Sequence, residues 1–100
     1  ISTKIPFAKG IEMIKIVNDC YNRGHTIIIY TARGFKGFHG DIHEIYANLY
    51  PLTLQQLKDW GVKFHRLVMG KLSYDLLIDD KAISSYLATR ERIEEFLEEI

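Results

Sequence analysis

"HTIIIYTARG", His25 to Gly34, decides the fold. Its first seven residues form a short β-branched run with no polar alternation, the pattern of a strand covered on both faces in a parallel sheet. Upstream, Pro6 suits the first turn of a helix. Phe7, Ile11, Ile14, Val17 (or Asn18) and Tyr21 follow at helical spacing until Gly24 stops it. Downstream, residues 32–51 make a long excursion. In it Gly34, Gly37 and Gly40 read as a mobile loop, and Ile42, Ile45, Tyr46 and Leu49 have helical spacing behind Asp41 as N-cap. Thr53 opens a separate helix that ends at Gly61. "HRLVM" reads as a second strand and "SYDLLID" as a third. Thr89 begins a last helix, with Ile93, Phe96, Leu97 and Ile100 as its stripe and Glu91, Glu94, Glu95, Glu98 and Glu99 as its solvated face.

Helices alternating with buried strands argue for an α/β fold, an open parallel sheet flanked by helices in three Rossmann-like layers. Ligands of such sheets bind where strands end. The strand ends here are Thr31, the pair Gly70 and Lys71, and the pair Asp79 and Asp80.

The bulk numbers narrow the function. The chain has 100 residues, enough for one domain with a single core. Thirteen basic and thirteen acidic residues cancel, so no global field exists to hold nucleic acid or a membrane surface, and an anion must be bound locally. The single cysteine, Cys20, sits among apolar helical positions and has no internal disulfide partner, which fits a core residue in a reducing, cytoplasmic setting. No apolar run approaches the roughly 20 residues that span a bilayer. "ISTKIPF" lacks the features of a signal peptide, and a start at Ile1 without Met leads us to expect sequence upstream.

Asp79 against Asp80 would cost about 4 kcal/mol in repulsion at roughly 4 Å and an effective dielectric near 20. A bound cation relieves it. So does alternation along a strand, or a helical turn capped by Asp80. A hydroxyl, an ammonium and two carboxylates at one rim suit a phosphate and a divalent cation better than core packing. Asp79 and Asp80 are candidate Mg2+ ligands. Thr31 is a candidate donor to a phosphoryl oxygen, as are the backbone N–H groups of Ala32 and Arg33, and Lys71 is a candidate neutraliser of the transferring group. The Arg33 side chain would either grip a substrate anion or pair with a surface carboxylate.

"IIIYTARG", "LKDWGV" and "MGKLSYDLLIDDKAI", in this order, resemble the haloacid dehalogenase-like superfamily, and within it the small phosphatases of capsular polysaccharide biosynthesis. The resemblance spans nearly the whole chain. It implies that Thr31 is the second motif, Lys71 the third, and Asp79 with Asp80 the fourth, which helps to hold Mg2+, Asp79 being the direct ligand. It implies a phosphatase acting on a small phosphorylated sugar or related metabolite. The family's first motif, an Asp-x-Asp on the first strand, does not occur before Pro6. Residues 1–100 then read as a single haloacid dehalogenase-like domain without its first strand, and the isolated chain as inactive. With that strand present, its Asp would attack phosphorus and water would hydrolyse the aspartyl phosphate. The alternative from another class is a noncatalytic binding or assembly domain within a larger sugar-activating enzyme.

Other motifs fit less well. A receiver domain places its acidic pair first along the chain, whereas here it comes last. His65 and Leu72 stand where a Walker loop around Gly70 and Lys71 needs Gly and Ser or Thr, and the glycines at 34, 37 and 40 lack the tight dinucleotide turn. His39 and His43 have metal-ligand spacing only if the segment between them is helical. Phe35, Phe38, Tyr46 and Tyr50 would stack on a sugar ring or join two copies of the chain through residues 35–50. Beside the strands, His25 and His65 read as structural residues, and Trp60 as core.

Overall fold

The computed structural model describes residues 8–84 and 87–98. Among them the order is α1 (Ala8–Asn22), β1 (Ile28–Tyr30), α2 (Ile42–Asp59), β2 (Arg66–Val68) and α3 (Arg90–Glu98). The strands pair in parallel, Ile28 against Arg66 and Tyr30 against Val68, so α2 lies on the crossover that a parallel pair requires. The described residues therefore form a small α/β fold of three helices and a two-stranded parallel sheet. None of these helices is long and apolar enough to cross a membrane. Pro6, Phe7, Glu99 and Ile100, expected at helix ends, lie outside the described residues.

Gly24 ends α1 through a left-handed turn at φ +93°. Its N–H donates to the Tyr21 carbonyl, and the His25 N–H to the Cys20 carbonyl. Gly61, at φ +73°, closes α2 by the same pair of bonds, to Lys58 and Leu57. Asp41 caps α2 as its residue type foretells, its side chain accepting from the Glu44 N–H at 3.3 Å.

Four expectations are corrected. The excursion and the helix after it are one helix running through Pro51. The inward positions on either side, Ile45 and Leu49 before it and Thr53, Gln56 and Leu57 after it, stay in phase, and their burial outweighs the lost backbone donor. Residues 33–40 form successive hydrogen-bonded turns, closed by Gly40 N–H to the Phe35 carbonyl at 2.7 Å, in place of a mobile loop. β1 is covered on one face only: Ile29 packs on the core, while Ile28 and Tyr30 are exposed. Residues 73–79 make no strand, and Leu76 and Ile78 stand 77% and 90% exposed. A strand forms only against a neighbour, and among the described residues 73–79 pair with none.

The other side of β1 has no partner strand among the described residues. Arg66 N–H donates to the Ile27 carbonyl and Thr31 N–H to the Val68 carbonyl, so the odd residues bond towards β2. In a parallel ladder this turns the backbone groups of Ile28 and Tyr30 to the opposite edge. Among the described residues no strand pairs with that edge.

The core is Ile45, Leu57, Leu67 and Met69, with Phe35, Phe38, Tyr46, Tyr50 and Trp60 packed against it. The aromatic side chains of the excursion thus face inward, and the Tyr46 hydroxyl accepts from the Met69 N–H at 3.0 Å. On α1 the buried positions are Ile16 and Cys20, a stripe turned away from Ile11, which is exposed. Asn18 clasps the turn after α2, donating to the Gly61 carbonyl and accepting from the Lys63 N–H at 2.7 Å. α3 is held to α1 by Arg23 with Glu94 and Arg90 with Asp19, so Glu94 is part of an ion pair and not of a purely solvated face. The hydrogen bond that Arg23 donates to Glu94, and then the charge of that carboxylate, hold the Arg23 guanidinium above its ordinary pKa. His65 serves structure: its Nδ1 accepts from the Ile27 N–H at 3.0 Å, which places the ring proton on Nε2, and its ring stacks on Tyr21.

Candidate functional site

Both strands end at one place. The Thr31 carbonyl accepts from the Lys71 N–H at 3.1 Å, so the hydroxyl residue and the lysine are joined through their backbones. Gly70 makes this possible. Its φ of +84° turns the chain off β2, and a Cβ there would collide with the Ile42 side chain. Gly70→Ala is expected to destabilise the fold by about 1–3 kcal/mol, read as a lower midpoint in urea, through left-handed strain and that collision.

The Lys71 ammonium lies 5.7 Å from the centre of the Tyr30 ring and 5.5 Å from that of Tyr74. Aromatic faces hold a cation without cancelling its charge. Two open clefts meet at this side chain. One, about 310 Å³, is lined by Tyr30, Thr31, Ala32, Lys71 and Tyr74 among others. The second, about 700 Å³, shares Lys71 and Tyr74 and extends to Leu77, Ile78 and Asp79. Thr31 borders the smaller cleft and Asp79 the larger, and Lys71 borders both.

Other candidates are placed differently. Arg33 offers no outward backbone donor, because its N–H is bonded to Thr31 Oγ1 at 3.1 Å. The turn after the strand closes on the threonine's own side chain, a competition that Ser and Thr commonly win. That bond uses a lone pair of Thr31 and leaves its hydroxyl proton to donate elsewhere. Ala32 lines the smaller cleft and its carbonyl accepts from the Phe35 N–H. The Arg33 side chain pairs with no surface carboxylate among the described residues; it reaches Thr53 Oγ1 at 2.8 Å and Gln56 Oε1 at 2.6 Å.

Asp79 and Asp80 separate. Asp79 lines the larger cleft and folds back locally, Oδ1 accepting from the Lys81 N–H at 2.7 Å. Asp80 is exposed and borders neither cleft. His39 and His43 are both exposed, with His39 in a left-handed turn at φ +52°, and among the described residues no group of three or more His, Cys, Asp and Glu could hold a metal. Tyr30, Tyr74 and Gln56 were not singled out by the sequence, and Thr53 only as a helix start. Tyr30 adjoins Thr31 and Tyr74 lies three residues after Lys71, but neither spacing signals a cation cradle.

No family profile and no curated protein matches this chain. A crystallised genomics target from Vibrio cholerae is similar in structure, with a TM-score of 0.75 and 22% sequence identity over 89% of this chain and 77% of that one. At that identity the likeness is one of fold.

Proposed function

We propose that this chain is the greater part of a Mg2+-dependent phosphatase domain of the haloacid dehalogenase type, acting on a small phosphorylated sugar or related metabolite. The observation that carries the reading is the union of Thr31 and Lys71 across a backbone hydrogen bond, with the ammonium held by rings and, among the described residues, by no carboxylate, and with Lys71 bordering both the cleft of Thr31 and that of Asp79. In this scheme Thr31 donates its hydroxyl proton to a phosphoryl oxygen. Lys71 lowers the barrier by neutralising charge on the equatorial oxygens as it builds up. The nucleophilic Asp belongs to a strand outside these residues that runs along the edge of β1 with no described partner, one strand away from β2. Such a strand would complete the Rossmann-like sheet and give residues 73–79 a neighbour.

The donor set suits magnesium, which takes hard oxygen from one or two carboxylates and completes its shell with substrate oxygens and water. Asp79 would hold it, since the Lys81 N–H engages only one of its two oxygens. When bound, the ion supplies further positive charge to the phosphoryl group. Asp79→Asn keeps an acceptor for the Lys81 N–H but removes the charge. In the full-length protein the variant is expected to need at least about tenfold more Mg2+ for half-maximal release of phosphate from sugar phosphates, at unchanged thermal stability. An unaltered Mg2+ requirement removes Asp79 from the metal site and with it the reading.

A further inference from the structure

The ion pairs among the described residues all fall at one place, the contact of α1 with α3. Asp19 and Arg23 stand one turn apart on α1, and Arg90 and Glu94 one turn apart on α3. Arg90 meets Asp19 at 2.6 Å and Arg23 meets Glu94 at 2.7 Å, while Arg90 also lies 3.8 Å from Glu94. The signs run in opposite order on the two helices. A reversed α3 would set Asp19 against Glu94 and Arg23 against Arg90, so the quartet fixes the direction in which α3 docks.

The apolar share of this contact is shallow. No residue of α3 is buried, and its stripe of Ile93, Phe96 and Leu97 is half-buried. The paired side chains keep 34% to 50% of their surface exposed, and exposed ion pairs are weak and screened by salt. The core of Ile45, Leu57, Leu67 and Met69 lies elsewhere, in α2 and in and just after β2.

From this we infer that α3 is an electrostatic latch, docked on α1 in one direction by these four charges and released by salt while the core stays folded. Thr89 caps the helix, its Oγ1 accepting from the Arg92 N–H at 3.3 Å, but nine residues are too few to stay helical alone. Undocking is therefore also local unfolding. Ala82, Ile83 and Ser84 precede α3 and line the larger cleft, so the latch ties down the downstream end of that wall. The inference does not depend on what the cleft binds.

Hydrogen exchange in the full-length protein, followed residue by residue by NMR, tests it. Raising NaCl from about 0.1 M to about 1 M shortens the screening length from about 10 Å to about 3 Å. We expect amide protection from Ile93 to Glu98 to fall by roughly fivefold, with that of α2 around Ile45 and Leu57 unchanged. Arg90→Glu, which sets a third carboxylate beside Asp19 and Glu94, is expected to lower α3 protection as far already at about 0.1 M salt. Adding Asp19→Arg restores an opposite pair and with it part of the protection. Protection in α3 indifferent to salt overturns the latch, because the apolar stripe then suffices. A fall shared equally by α2 overturns it too, since the whole domain then opens at once. So does a double variant no better protected than Arg90→Glu, whose substitution would then act on the helix itself. Should Arg90→Glu not fold, the salt series on the parent decides alone.

Discussion

Lys71→Met in the full-length protein is expected to lower kcat/KM for sugar phosphate hydrolysis by roughly 10²–10³-fold while leaving the fold intact. Methionine keeps most of the aliphatic stem, so packing against Tyr30 and Tyr74 survives and only the charge is lost. The Lys71 N–H still bonds the Thr31 carbonyl, because that contact belongs to the backbone and to the turn at Gly70. The loss should fall mainly on kcat, since the ammonium is placed for charge that grows in the transition state. Steady-state kinetics with circular dichroism as the folding control decides it. Turnover equal to that of the parent would remove Lys71 from the chemistry and favour the noncatalytic binding or assembly domain.

Ile45→Ala is expected to destabilise the fold by about 2–5 kcal/mol. Ile45 is fully buried, the centre of the cluster with Leu57, Leu67 and Met69 that joins α2 to β2. Removing three carbons there leaves a cavity that an 18-residue helix and two three-residue strands have little room to close. Stability of small domains is commonly near 5 kcal/mol, so the variant should sit near its unfolding midpoint at physiological temperature. Urea titration followed by tryptophan fluorescence measures it directly, because Trp60 packs against this cluster. A shift below about 1 kcal/mol would mean that Ile45 is not the centre of the core.

How much of this was readable beforehand depends on whether a residue's role is local. Asp41, Gly24 and Gly61 act within a few residues of themselves, and all three end helices where their chemistry says. The parallel pairing of the two apolar runs was also legible, since β-branched residues without alternation suit it. Pro51 misled because the local rule against proline in a helix lost to burial on both sides of it. "SYDLLID" misled for the converse reason: its residues favour a strand, but strand formation is settled by a partner, not by propensity. The residue types of Thr31, Lys71 and Asp79 suggested a site at once, whereas Thr53 read only as the start of a helix and Gln56 carried no signal. Their role exists only because Arg33, twenty residues earlier, folds onto them.

The unpaired flank of β1 matters for handling the protein as well as for catalysis. Among the described residues no strand pairs with the edge that carries exposed Ile28 and Tyr30, so it is a template on which another molecule can build a ladder. A net charge of zero offers no repulsion to keep molecules apart. Colloidal stability therefore depends on keeping neighbouring polypeptides from meeting edge to edge on that flank.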